Sequence, residues 1–301
     1  MVVLSLFDGI SVGHLALERA GLKVDKYYAS EISKSAIKIT NHNFPDTIQL
    51  GDICNWKDWD IDWYSIDMVI GGSPCTNISL AGNKKGLEGE QSKLFWVYRD
   101  ILNYLKFINP NILFLLENVK GKKEVLDTIS KEMGVEPVRI NSNLVSAQNR
   151  DRYYWTNING GVISQPLDKG IVLNDILREE DDGTYPLSVT HHKAFLKSYP
   201  NWKISERDGK SKPILASYYK QPPHCPYIRD SKSESGYRRL SPIECERLQT
   251  LPDDYTNVDN MSYKARIEAV GNSWTVDIIS HIFSHIDENI DCKVEKLEKI
   301  S

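Results

Sequence analysis

Through the first half of the chain, short runs rich in β-branched and aromatic residues alternate with longer stretches whose apolar residues recur at helical spacing. Candidate strands are Val2–Phe7, Lys26–Ser30, Ile66–Ile70 and Ile112–Leu116, followed by Arg139–Val145 and Tyr153–Ile158. Between them, His14–Ala20, Ile32–Asn43, Leu94–Phe107 and Lys123–Met133 carry the helical pattern. A chain that repeats strand and then helix folds into a parallel sheet with crossover helices on its faces, so the expected class is α/β.

After Asn159 the texture changes to Gly, Pro, Ser, Tyr and Lys without clear periodicity, up to about Gly236. A second, smaller and irregular domain is expected there. Helical pattern returns at Ser241–Gln249, where Ser-Pro-Ile-Glu reads as an N-cap, a proline at N1 and a glutamate at N3. The tail from Asp291 is mostly charged and is expected to fray.

With 41% hydrophobic and 26% charged residues, the 301-residue chain has the make-up of a globular protein with a full core. The sequence shows no membrane-spanning run, and its N-terminus lacks the basic lead and cleavage site of a secretory signal, so a cytoplasmic location is expected. Five scattered cysteines form neither a disulfide framework nor a zinc pattern, and no metal is expected. The net charge of −4 is uneven: Thr184–Leu240 holds eleven Lys/Arg against four Asp/Glu, a local +7 that leaves −11 elsewhere. That asymmetry predicts a basic face on an acidic body.

Three features in order point to an adenosine-containing ligand. Phe7-Asp8-Gly9-Ile10-Ser11-Val12-Gly13 lies between a strand and a helix, where a glycine turn lets a ligand approach backbone amides. It is not the G-x-G-x-x-G of a dinucleotide site. Glu31 ends the next strand, 22 positions after Gly9, where a carboxylate can accept from ribose hydroxyls. Asp52, in Leu50-Gly51-Asp52-Ile53, follows the third β-like run and can reach an adenine amine. Taken singly, each reads as an ordinary turn or a solvated acid.

The stretch Met68-Val69-Ile70-Gly71-Gly72-Ser73-Pro74-Cys75 ends a strand on a thiol, at the sheet edge where α/β proteins place ligands. A lone cysteine is more often buried and structural. Here Gly71-Gly72 and Pro74 suit a tightly turned, exposed segment better. Thr76–Ala81 has no arginine to hold a phosphate, and no histidine stands in a motif-like context to serve as base; His191-His192 reads as surface. Leu115-Leu116-Glu117-Asn118-Val119 brings a glutamate to the same edge, and beside a thiol it can protonate a ring nitrogen while the thiol attacks the ring. Arg150 and Arg152, alternating on extended chain, read either as a charged edge strand or as a clamp on a carbonyl oxygen or phosphate.

With these residues in place the sequence strongly resembles the DNA (cytosine-5) methyltransferase family. The resemblance is carried by Ser5-Leu6-Phe7-Asp8-Gly9-Ile10, Gly72-Ser73-Pro74-Cys75, Glu117-Asn118-Val119 and Gln148-x-Arg150-x-Arg152, then by Arg239–Gln249 and Gly271-Asn272-Ser273-Trp274. It runs over nearly the whole chain except the irregular region, and its flavour is similar to the vertebrate de novo enzymes, at a length that looks bacterial or phage.

The resemblance implies a Rossmann-like S-adenosylmethionine-dependent methyltransferase domain made of residues 1–159 and 270–301. It also implies a target-recognition domain with a return hinge over 160–269. By the same resemblance the partner is double-stranded DNA, with the cytosine flipped out of the helix. Cys75 is the nucleophile at C6, Glu117 the partner of N3 and the exocyclic amine, and Arg152, supported by Arg150, the holder of O2. Phe7, Asp8, Gly9, Ile10, Glu31, Ile32, Asp52, Ile53, Pro74, Leu94, Asn272, Ser273 and Trp274 are implied around the cofactor, with Trp274 equally readable as core. Thr76–Ser92 is the expected closing loop. The helix beginning Leu94-Phe95 is the face on which the de novo branch pairs, so a homodimer and a monomer both stand.

Two departures from the family pattern are visible. The usual Phe-Ala-Gly-x-Gly-Gly turn is here Phe7-Asp8-Gly9-Ile10-Ser11-Val12, and Thr76 stands where Gln often follows the cysteine. Neither removes a reacting group. Two other functions share the same motifs: methylation of transfer RNA, and DNA binding without catalysis.

Overall fold

The computed structural model describes residues 1–73, 93–178, 185–199 and 201–286. Seven strands form one sheet: β1 (Val2–Leu6), β2 (Lys26–Ser30), β3 (Ile48–Gln49), β4 (Met68–Gly72), β5 (Leu113–Val119), β6 (Val138–Asn141) and β7 (Asp151–Thr156). Their order is β3-β2-β1-β4-β5-β7-β6. The first five are parallel to their neighbours, with Leu4 opposite Tyr28 on one side and Val69 on the other. β7 is antiparallel to both β5 and β6.

The sheet is parallel, as expected, over its first five strands, and β6 and β7 add an antiparallel edge. Only the short segment Ser142–Arg150 joins β6 to β7, and a parallel partner would need a crossover of a dozen or more residues. The expected strand Arg139–Val145 is correspondingly cut short, because Ser142–Leu144 turns as a single 3-10 loop capped by Asn141.

Both faces of the sheet are covered, which explains why its strands read as apolar runs rather than as alternation. Val3, Met68, Ile70 and Leu115 face one core, and Leu4, Leu6, Val69, Phe114 and Leu116 face the other. Helices α1 (Val12–Arg19) and α2 (Lys34–Asn43) bury Ala16, Leu17 and Ile39 in the first core. Helices α3 (Lys93–Ile108) and α4 (Lys123–Met133) bury Phe95, Tyr98, Leu102 and Ile129 in the second.

The region expected to be irregular contains more regular structure than its texture announced: α5 (Leu173–Ile176), α6 (Val189–Ser198) and the short hairpin β8 (Ile228–Arg229) with β9 (Tyr237–Arg238). In α6 only Phe195 is buried, so no apolar stripe betrays the helix, whose start is set by the Ser188 hydroxyl accepting from His191 N–H. Its Leu187, Phe195, Tyr218 and Tyr227 belong to the same continuous core as the first sheet face. The chain then returns through α7 (Pro242–Leu248), α8 (Tyr263–Asn272) and α9 (Val276–Phe283), the last lying along α1. α7 begins with the expected capping box, Ser241 and Glu244 each accepting the other's backbone N–H.

Candidate active site

Strand order reverses between β1 and β4, and ligands of open α/β sheets bind outside the carboxyl ends of strands at such a point. Three motifs converge there: the turn after β1, Gly72-Ser73 at the end of β4, and Glu117 on β5, which pairs in register with Gly72. Ser73 is buried, and its hydroxyl accepts from Asn118 Nδ2 at 3.1 Å. The chain is thus fixed at the residue that leads into Pro74-Cys75. Pro74, Cys75 and the expected closing loop Thr76–Ser92 lie outside the described residues.

Glu117 is 9% exposed, and each of its carboxylate oxygens has a partner. Arg152 Nε lies 2.9 Å from Oε1, and Trp274 Nε1 donates to Oε2 at 3.1 Å. The three come from β5, β7 and the Gly271–Trp274 motif. Gly72 lets them meet: a Cβ there would stand 2.9 Å from both Glu117 Oε2 and Trp274 Nε1. Trp274, readable from sequence as core or as cofactor wall, is half-buried and spends its one donor on Glu117.

Arg150 has a different task from Arg152. It is 5% exposed, and its guanidinium donates to the carbonyls of Ile214, Gly271 and Ser273 at 3.0, 3.2 and 2.9 Å. The expected clamp of two arginines therefore resolves into Arg152 at the glutamate and Arg150 bolting α8 and the Ile214 segment to the sheet. Around it lies a buried polar knot that sequence reasoning missed. Gln148 Nε2 donates to Gln249 Oε1 at 2.9 Å, Gln249 Nε2 donates to the carbonyls of Val270 and Ser273, and Thr275 Oγ1 donates to Gln249 Oε1. The only sequence signal was that Gln148, Gln249 and Ser273 each sit in a motif. At Gly271 an added Cβ would run into the backbone of Leu215 and Ala216, so a second motif glycine exists for close approach.

A cavity of about 380 Å³ opens on the other side of the β1 turn, lined by Gly9, Ile10, Glu31 and Asn272 of the expected cofactor set. Ser33, Tyr219, Lys220 and Glu268 also line it, and no motif announced them. Glu31 is held by three backbone amides, those of Gly9, Ile32 and Ser33, each at 2.8 Å. Beside it Ile32 is 72% exposed, an apolar side chain left at the surface. Asp52 is exposed and caps the next turn by accepting from Cys54 N–H at 2.9 Å. Ile53, in contrast, is buried in the second core, against which Phe7 and Leu94 are partly buried. Ser273 is buried, its hydroxyl donating to Val270 O at 2.8 Å.

The β1 turn itself is strained. Phe7, Gly9 and Ser11 have φ of 57°, 63° and 56°, the left-handed region, which costs a non-glycine residue about 1–2 kcal/mol. Asp8, expected at the cofactor, turns its carboxylate into the protein, where it accepts from Tyr27 Oη at 2.8 Å and Ser11 Oγ at 2.5 Å. Burial pushes this carboxyl above its usual range, and the hydrogen bonds from Ser11 and Tyr27 only partly offset that.

The basic charge of the Thr184–Leu240 segment is partly consumed inside the protein. Lys210 donates to the carbonyls of Asn143, Ser146 and Ile171, Lys212 to those of Lys203 and Pro223, and Arg238 forms a buried bidentate pair with Glu244. Lys193, Lys197, Lys203, Arg207, Lys220, Arg229 and Lys232 remain exposed. A cavity of about 440 Å³ is walled by Tyr199, Trp202 and His224, with Lys203 and Lys212 in its lining. Among the described residues no cluster could hold a metal ion, and no helix is long and apolar enough to cross a membrane.

The sheet order defines a Rossmann-like α/β fold, with the candidate site at the carboxyl ends of β1, β4 and β5. The whole backbone is similar to two solved methyltransferases, from Entamoeba histolytica (TM-score 0.72, 19% identity, 96% of this chain and 98% of that one) and S. pombe Dnmt2 (0.71, 18%, 97% and 99%). The sequence is 28% identical to the type II methyltransferase M.SsoII of Shigella sonnei, over 96% of this chain and 80% of that protein. Identity is again 28% to M.HpaII of Haemophilus parainfluenzae, over 92% and 86%. Residues 1–288 match the family model for C-5 cytosine-specific DNA methylases, and the chain belongs to that family as a DNA cytosine-5 methyltransferase.

Proposed function

We propose that the chain takes a cytosine flipped out of duplex DNA and methylates its C5 through a covalent bond between Cys75 and C6. The observation that carries this reading is Glu117, its carboxylate gripped by Arg152 and Trp274 at the strand end beside the segment that leads to Cys75. C5 of cytosine is too weak a nucleophile to take a methyl group until the ring becomes an enamine. Addition of the Cys75 thiolate at C6 achieves this, with a proton delivered through Glu117 to N3 taking up the charge that develops there. A free thiol of pKa about 8.5 is only slightly ionised at neutral pH, so a tuned environment is expected around Cys75. Arg152, already aligned by Glu117, holds O2. Once C5 carries the methyl group, loss of its remaining proton to a base forms the C5–C6 double bond and expels Cys75 as the thiolate.

The residues around the cavity fit S-adenosylmethionine. Glu31 is set to accept from ribose hydroxyls, and Gly9, Ile10 and Asn272 wall the cavity; Ile32, with an exposed apolar face for a base, and Asp52, a carboxylate for an amine, stand outside that lining, after β2 and β3. Asp8, Ile53 and Ser273 act from behind that wall, with Phe7, Leu94 and Trp274 toward the base. When bound, S-adenosylmethionine supplies the methyl group. Residues 160–269 are proposed as the target-recognition part, supported by the exposed lysines and arginines of the segment and by the Tyr199–Trp202–His224 cavity with Lys203 in its lining, which suit phosphates and base faces.

The adduct is directly testable with duplex DNA in which 5-fluorocytosine replaces cytosine, because fluorine at C5 cannot leave as a proton would and the enzyme stays attached. With S-adenosylmethionine present, the wild-type protein is expected to run with the DNA on a denaturing gel, and Cys75→Ser is not. Attachment that survives Cys75→Ser would overturn the assignment, and attachment only to the corresponding RNA would move the substrate to RNA.

A further inference from the structure

We infer that Asp8 is a positioning residue for the cofactor cavity, acting through the shape of the β1 turn rather than by touching the ligand. This rests on the reading of that cavity as the S-adenosylmethionine site.

Three of five consecutive residues, Phe7, Gly9 and Ser11, stand in the left-handed region, and two of them carry side chains. Such a turn persists only where its surroundings over-determine it. Several bonds do so here. The Asp8 amide donates to Ser30 O at 3.1 Å, and Asp8 O accepts from Ser11 N at 3.3 Å. The two carboxylate oxygens are taken separately by Tyr27 Oη and Ser11 Oγ, and Ser11 Oγ lies 3.0 Å from Thr40 Oγ1. Tyr255 Oη donates to Ile10 O at 2.7 Å, closing the turn from the return segment.

In this arrangement the Asp8 side chain is bonded both to the next strand, through Tyr27 on β2, and to the far end of its own turn, through Ser11. What the turn presents outward is Gly9 N–H, bonded to Glu31, and the walls Gly9 and Ile10 of the cavity. Removing the carboxylate frees Ser11 from its left-handed conformation and lets Gly9 swing away from Glu31. An Asp at this position also accounts for the departure from the Phe-Ala-Gly turn: the alanine of that pattern has no acceptor for Tyr27 and Ser11.

The test is calorimetric titration of S-adenosylmethionine into wild type, Asp8→Ala, Asp8→Asn and Tyr27→Phe, with kcat and KM measured alongside. Asp8→Ala is expected to weaken binding about tenfold and to raise KM for S-adenosylmethionine by a like factor. Its kcat at saturation and its affinity for DNA should stay within about twofold. Asp8→Asn, which keeps one acceptor and gives Ser11 or Tyr27 an N–H to accept, should recover most of the loss. Wild-type affinity in Asp8→Ala would overturn the inference, as would equal losses in DNA and cofactor binding. Should Asp8→Ala not fold, Tyr27→Phe decides on the same readouts. A wild-type protein that does not bind S-adenosylmethionine would instead overturn the reading of the cavity itself.

Discussion

The glutamate on β5 shows how much one absent methyl group controls. Gly72 faces Glu117 in register, and the space a Cβ would fill is taken by the carboxylate and the indole N–H of Trp274. Gly72→Ala is therefore expected to separate Glu117 from Trp274 and to lower kcat by about 10²-fold or more, in the range lost with a positioned acid–base group. The fold should survive, since the displaced groups lie at the sheet edge. Steady-state kinetics beside a thermal melt check this, and an unaltered kcat in Gly72→Ala would mean that the Trp274 bond has no part in catalysis. The placement of Glu117 beside the Gly72-Ser73 strand end was legible in the sequence because strand ends and turn residues are local signals. Arg150 was not, because its partners are backbone carbonyls of Ile214, Gly271 and Ser273, and a carbonyl leaves no mark on composition.

At the scale of elements, α7 carries a short helix into the core on an ion pair. Arg238 and Glu244 are 5% and 1% exposed, and the same carboxylate closes the capping box at Ser241. Burial works to raise the Glu244 carboxyl, but the Arg238 guanidinium and the backbone N–H donors outweigh it and hold the group below the usual carboxylate range. A depressed folded value means that this pair stabilises the protein fully above the unfolded value of about 4.3 and that the contribution is lost as pH falls through the folded value. Glu244→Gln is expected to destabilise at neutral pH by about 3–5 kcal/mol, the cost of breaking a buried pair. The gap from wild type should shrink as the solution is acidified. Denaturant titrations at neutral and acid pH check this, and a gap that widened on acidification would contradict the assignment. The capping box was readable because its residues are three apart; its ion-pair partner was not, since Arg238 was counted with the basic face. α6 was missed for the opposite reason, having one buried residue and so no stripe.

For the molecule as a whole, the alternation of strand and helix fixed the class, while the antiparallel β6–β7 edge was set by a connection too short to cross the sheet. The switch point between β1 and β4 then gathers motifs distant in sequence into one edge. The return segment ties that edge to the proposed recognition part through the Gln148–Gln249–Thr275 knot. Whether this edge methylates cytosine C5 in duplex DNA is decided by incubating the pure protein with S-adenosylmethionine and unmethylated genomic duplex DNA. A transfer RNA pool is treated in parallel, and both are read for 5-methylcytosine at base resolution. Methylation of the duplex confined to one short sequence motif is expected, and none with Cys75→Ala. Folded, cofactor-bound protein that left every duplex cytosine unmodified, or that methylated only the RNA, would contradict the proposed function.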